Sequence, residues 1–150
     1  MIQKFLNWKT IFISTLVVLF VLSSLNILQT PDNILEDVLV TEEGSALVMK
    51  IQTSIPVYYV DHYPSGRSSF IQVKVRVVSL LGADKNEYMG SESILPGFIE
   101  QVPIIDVAYE GDVPGGPFIS MHFKEPVNYQ IKEDPELKGL FIYISKKAAI

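Results

Sequence analysis

The chain has 150 residues, enough for one domain with a short appendage, and 48% of them are apolar, enough for a core that needs neither disulfide nor metal. It has no cysteine, which excludes a disulfide framework, a thiolate metal site and a cysteine nucleophile. The formal charge is −5; the first 30 residues hold Lys4 and Lys9 and no acid, so the rest carries −7, a poor match to nucleic acid or an anionic membrane surface.

Met1 to Trp8 is short and basic, and from Ile11 to Leu28 about 18 residues follow without a charge, close to the ~20 that cross a bilayer as a helix. A basic head, an apolar stretch and a polar exit predict an N-terminal hydrophobic helix over 1–29, either a secretion signal or an uncleaved membrane anchor. Val21-Leu22-Ser23 offers a cleavage site without an A-x-A motif, and the lack of cysteine excludes a lipoprotein. Lys4 and Lys9 favour an inside N-terminus, which puts the remainder in the periplasm or another extracytoplasmic space, with the inner membrane as a partner of the anchor. The acidic, cysteine-free composition fits a bacterial envelope protein.

Thr30-Pro31-Asp32-Asn33 is a linker, and after it the sequence reads as strands. Asp37 to Thr41 is one, followed by a turn at Glu42-Glu43-Gly44. Ala46 to Thr53 is the next, with Leu47, Met49 and Ile51 on one face and Val48 and Lys50 on the other. Ile55 to Val60 follows, rich in β-branched and aromatic residues. After a turn at Tyr63-Pro64-Ser65-Gly66, Phe70 to Val77 alternates cleanly, with Ile71, Val73, Val75 and Val77 facing inward and Gln72, Lys74 and Arg76 outward. Leu80 to Gln101 is irregular, either a functional loop or a connector. Ile104 to Tyr109 is a strand, Gly111 to Gly116 a turn, and Phe118 to Lys124 an alternating strand. Val127 to Ile131 is a strand entered through Pro126, Asp134 to Gly139 is a loop, and Leu140 to Ile144 closes the domain over 34–145.

Two stretches look like copies of one β-motif. A shift of 70 lays Pro56-Val57 and Tyr59 over Pro126-Val127 and Tyr129, and Met49, Ile51 and Thr53 over Ile119, Met121 and Phe123. A shift of 69 lays Asp37-Val38 over Asp106-Val107. A doubled unit whose halves cannot bury their apolar faces alone predicts an all-β fold, a pseudo-symmetric β-sandwich of two related halves.

The second half resembles the latter part of the AMIN domain family, small periplasmic β-sandwiches that precede the catalytic part of cell-wall amidases and the channel part of pilus secretins. The resemblance rests on the strand Ile104 to Val107, the glycine-bearing turn Gly111 to Gly116, the alternating strand Phe118 to Phe123, the P-V-x-Y strand Pro126 to Tyr129, the acidic-Pro loop at Asp134-Pro135, and the closing strand Leu140 to Ile144. It extends over about 34–144. The chain departs from the family pattern in its long 80–101 segment and in having Glu136-Leu137-Lys138 where an arginine is common. The resemblance implies two similar sheets packed together and a non-catalytic module that targets peptidoglycan or another envelope component.

Residue chemistry adds candidates. Arg67, Lys74 and Arg76 form a basic group in an acidic domain, either a site for the carboxylates of peptidoglycan stem peptides or a solvated face. Tyr58, Tyr59, Tyr63 and Phe70 either stack on sugar rings or pack in the structure. Tyr59 and Tyr63 join Arg67, Lys74 and Arg76 as the candidate ligand-binding set. Asp61-His62 with Ser65 would compose a triad on paper, but adjacent strand residues point to opposite faces. Two histidines without cysteine fall short of a zinc set. No enzyme, cofactor or metal is therefore expected. Two readings remain: a cell-envelope module recognising peptidoglycan, or an interaction subunit of a secretion or type IV pilus assembly that binds proteins by strand addition, with Phe118 to Lys124 as the candidate edge.

Overall fold

The described residues form nine strands: β1 (Leu35–Glu43), β2 (Ala46–Thr53), β3 (Val57–Tyr63), β4 (Ser68–Val77), β5 (Ser91–Ile94), β6 (Ile104–Glu110), β7 (Phe118–Val127), β8 (Tyr129–Glu133) and β9 (Gly139–Ser145). A computed structural model describes residues 33–78, 88–96 and 103–145. The hydrophobic helix expected over 1–29 lies outside the described residues. All pairs are antiparallel and form two sheets, one of order β1-β2-β9-β8 and one of order β3-β4-β7-β6-β5.

The alternation read from the sequence fixes which side of each sheet is apolar. β2 and β9 contribute Leu47, Met49, Ile51, Leu140, Ile142 and Ile144 to the core, and β4 and β7 contribute Ile71, Val73, Val75, Ile119, Met121 and Phe123. These side chains belong to one continuous cluster that includes residues of both sheets, so the two apolar faces cover each other. Burying each contributes about 1.5–3 kcal/mol.

The registers of the two sheets correspond. Adding 69 to each β1 residue and 70 to its β2 partner reproduces the β6–β7 ladder: Asp37↔Gln52 becomes Asp106↔His122, and Val40↔Met49 becomes Tyr109↔Ile119. The bulge between Leu35 and Asp37 returns between Ile104 and Asp106. The β2–β9 pair Met49↔Ile142 corresponds likewise to the β7–β4 pair Ile119↔Val73. Tyr59↔Val75 on β3–β4 corresponds to Tyr129↔Ile144 on β8–β9.

Two expectations change. β7, the proposed edge at Phe118 to Lys124, is an interior strand between β4 and β6. Its outward polar residues bond sideways rather than to solvent alone: Ser120 donates to Glu110, and His122 Nδ1 lies 2.6 Å from Asp106 Oδ1. The segment read as irregular over 80–101 contains β5, which extends the five-stranded sheet through four pairs with β6. Val48, on the face of β2 opposite Met49 and between Thr41 and Tyr143, is buried as well.

Two positions outside the core hold the end of β8 and the start of β9. Gly139 has φ 140°, and a Cβ there would lie 1.8 Å from the Ile51 carbonyl oxygen, so only glycine permits β9 to approach β2 at this point. The preceding loop is pinned by Asp134, which is buried; its Oδ1 accepts the Glu136 amide at 3.0 Å and its Oδ2 lies 3.1 Å from Lys50 Nζ. The Glu136 amide, with Lys50, holds the Asp134 carboxyl below its ordinary value of 3.8 against the upward pull of burial.

Gly139→Ala is expected to lower the unfolding free energy by about 2 kcal/mol or more, through a lower urea midpoint at constant slope. Gly44→Ala, at φ 60° with open space around its Cβ, is expected to cost only about 1–2 kcal/mol. Equal losses at both positions would contradict the close approach to Ile51. For Asp134 the folded-state pKa is depressed, so its stabilisation is present above the unfolded value of 3.8 and disappears as pH falls through the folded one. Asp134→Asn should therefore lower stability at neutral pH and flatten the acid limb of the stability profile; an acid limb identical to wild type would refute this role.

Candidate functional site

The five candidate ligand-binding residues separate into four places. Lys74 and Arg76 stand two apart on the outer face of β4, both exposed. Tyr59 lies half-buried near β8, its hydroxyl 2.6 Å from His62 Nδ1 and its amide donating to Glu133 Oε2 at 2.7 Å. Burial raises the Tyr59 hydroxyl pKa, with a smaller contribution from Asp61. Tyr63 is 75% exposed at the end of β3. Arg67 sits in the β3–β4 turn, where its Nε donates to the Pro126 carbonyl at 3.1 Å.

The aromatic group divides for the same reason. Tyr58 faces outward opposite Arg76, whereas Tyr59 faces the other way. A bulge between Tyr59 and Asp61 then resets the alternation, and Phe70 stacks on His122 with ring centroids 4.7 Å apart. His62 does not share its ring with Asp61; Asp61 Oδ1 accepts the His62 backbone amide instead. The ring of His62 meets Tyr59 and the edge of Tyr129, whose hydroxyl donates to the Pro64 carbonyl. Among the described residues no group of three or more His, Asp or Glu side chains converges on a metal position.

Lys74 and Arg76 line a cavity of about 690 Å³, a size that suits a binding site. Its origin lies in the ladders. The β1–β2 hairpin zips to Glu43↔Ala46, and β2 pairs with β9 as far as Ala46↔Ser145. The corresponding ladders stop two pairs earlier, at Glu110↔Phe118 on β6–β7 and Lys74↔Phe118 on β4–β7. Pro117 has no N–H to continue either ladder, and Gly116 turns the chain back by donating to the Val113 carbonyl at 2.9 Å. The strands part around this turn, and the cavity occupies the gap.

Buried Tyr88 and Tyr109 belong to its lining, together with Met89, Val60, Val77 and Val113. The Tyr109 hydroxyl donates to the Tyr88 carbonyl at 2.8 Å, and Gly111 donates to the Gly90 carbonyl at 3.0 Å, which ties the 88–90 segment to the end of β6. Burial, with Glu92 adding to it, pushes the Tyr109 hydroxyl up to about 12. Asp112 also borders the cavity, yet neither Lys74 nor Arg76 has an acidic partner within ion-pair distance among the described residues.

Sequence reading found the basic pair and missed its surroundings. Tyr88, Met89 and Tyr109 carry no motif, and only topology brings them to β4. The one available signal was the pair of prolines, Pro114 and Pro117, in a hairpin whose counterpart has none. No family model, curated protein or solved structure matches the chain.

Tyr109→Phe leaves the buried Tyr88 carbonyl unpaired and is expected to cost about 1–3 kcal/mol, measured by urea denaturation. A loss below the scatter of the measurement would show that the 88–90 segment is not held by this bond.

Proposed function

We propose that this chain is a non-catalytic docking module of the cell envelope, AMIN-like in build, facing the periplasm and anchored to the inner membrane through 1–29. The observation that carries the reading is the basic pair. Lys74 and Arg76 are exposed cations with no carboxylate within ion-pair distance among the described residues, Asp61 being the cross-strand neighbour of Lys74, and they stand beside a mainly apolar cavity in a domain of net negative charge. Such a pair suits a carboxylate-bearing ligand, as in the stem peptides of peptidoglycan.

Two further observations support it. The matching registers are what a doubled unit with a pseudo-twofold relation demands: relabelling β1 to β4 as β6 to β9, and the reverse, turns the order β1-β2-β9-β8 into β6-β7-β4-β3. That is the five-stranded sheet without β5. The histidines, in addition, are engaged by Tyr59 and by Asp106 rather than joined to a nucleophile.

The full-length chain in detergent micelles is expected to sediment with purified peptidoglycan sacculi at low salt, and the Lys74→Ala/Arg76→Ala double variant to remain in the supernatant. A wild-type chain that stays in the supernatant would sink wall docking. Crosslinking in intact membranes to one protein would then favour the interaction-subunit reading.

A further inference from the structure

We propose that the cavity beside β4 holds the free carboxyl end of an extended peptide, with its terminal carboxylate at Lys74 and Arg76 and its side chains against the Tyr88, Met89 and Tyr109 lining. The proposal deepens the docking reading and rests on the same basic pair.

The peptide character follows from the backbone of Val77. The Val57 amide donates to the Leu137 carbonyl at 2.9 Å and so points away from β4. Its cross-strand partner Val77 therefore stands in a non-hydrogen-bonded pair with β3, its own N–H and C=O directed to the opposite side. Neighbouring bonds agree: the Val78 amide donates to the Pro56 carbonyl at 2.9 Å on the β3 side, and the Val75 amide donates to the Pro117 carbonyl at 3.0 Å on the β7 side. Past Val75, β7 has left the sheet, and Val77 has no backbone partner on that side among the described residues. An extended chain lying there would take the donor and acceptor of Val77 and continue the sheet.

The terminus follows from direction and space. A chain added beside β4 in the antiparallel sense of the existing β3–β4 and β4–β7 pairs runs from Val77 toward Lys74. Pro117 and β7 already occupy that line, so the added chain ends there or leaves the sheet. An end at this point brings its carboxylate beside the Lys74 ammonium and the Arg76 guanidinium, where charge-assisted hydrogen bonds are strong. The apolar lining suits aliphatic side chains, and about 690 Å³ falls in the range of sites for small ligands. A phosphate or a fatty acid would use the cations and leave the Val77 amide unused.

The test is fluorescence anisotropy on the full-length chain in micelles, with fluorescein-Gly-Val-Ala-Val-Ala as the free acid and as the C-terminal amide. The acid is expected to bind at least about tenfold tighter than the amide. Arg76→Gln is expected to bring the two within about twofold, while Lys124→Gln keeps the difference. Equal affinity of acid and amide, or no saturable binding of either below about 10 mM, would overturn the proposal. Sacculus sedimentation separates the two levels. Wild type that pellets with sacculi but does not distinguish acid from amide removes the carboxyl-end site and leaves wall docking. Wild type that distinguishes the peptides but does not pellet removes wall docking and leaves the site.

Discussion

The structure depends on the mutual covering of two apolar sheet faces by four central strands. β2 and β9 form the middle of one sheet and β4 and β7 the middle of the other, and each pair takes one strand from each half of the sequence. Neither half can complete a sheet without the other. The core residues of these strands alternate with outward residues at the two-residue period, so a slip of one position anywhere would turn an apolar row to solvent. Gly139 shows how tight the arrangement is: at the first pair of β9 with β2 there is no room even for a methyl group over Ile51.

Closing a face leaves edges, and the molecule treats them with side chains. On one side, Glu133 of β8 accepts the Tyr59 amide of β3; on the other, Glu92 of β5 accepts the Leu35 amide of β1 at 2.5 Å. Each bond carries a backbone donor of one sheet to a carboxylate of the other. This links edge strands that cannot pair as a ladder and occupies donors that would otherwise be open to another chain. The bulge on β3 interrupts that edge further.

Much of this was legible in the residues. Eight of the strands follow from alternation and turn chemistry, and the offset of 70 between Met49 and Ile119 is the offset of the paired registers themselves. The change to 69 at Asp37 and Asp106 was legible as well, because β1 and β6 carry it along their whole paired lengths. Sheet position was not. Phe118 to Lys124 alternates apolar and polar residues as an edge strand would, and nothing local reveals that Ser120 and His122 spend their polar groups on Glu110 and Asp106 of the next strand. β5 was missed because Ser91–Ile94 is too short to show a period. Of the site, Lys74 and Arg76 were visible as a solvated face, whereas the aromatic lining comes from residues distant in sequence and without a spacing of their own.

The place where the two halves differ is therefore more informative than the many places where they agree. Shared ladders explain why the chain folds, and selection for folding alone gives no reason to break one of two equivalent hairpins. Yet β6–β7 stops short where β1–β2 closes, and proline occupies the position equivalent to core residue Leu47. The charges change at the same point: the positions equivalent to Lys74 and Arg76 on the other sheet are Tyr143 and Ser145. A shortened ladder, a proline without a donor and two cations with no carboxylate within ion-pair distance among the described residues thus coincide in one corner of two sheets whose registers otherwise correspond. Each alone reduces stability or leaves it unchanged. Together they make a gap with an apolar lining and a positive border, beside which Val77 has no backbone partner on the β7 side among the described residues.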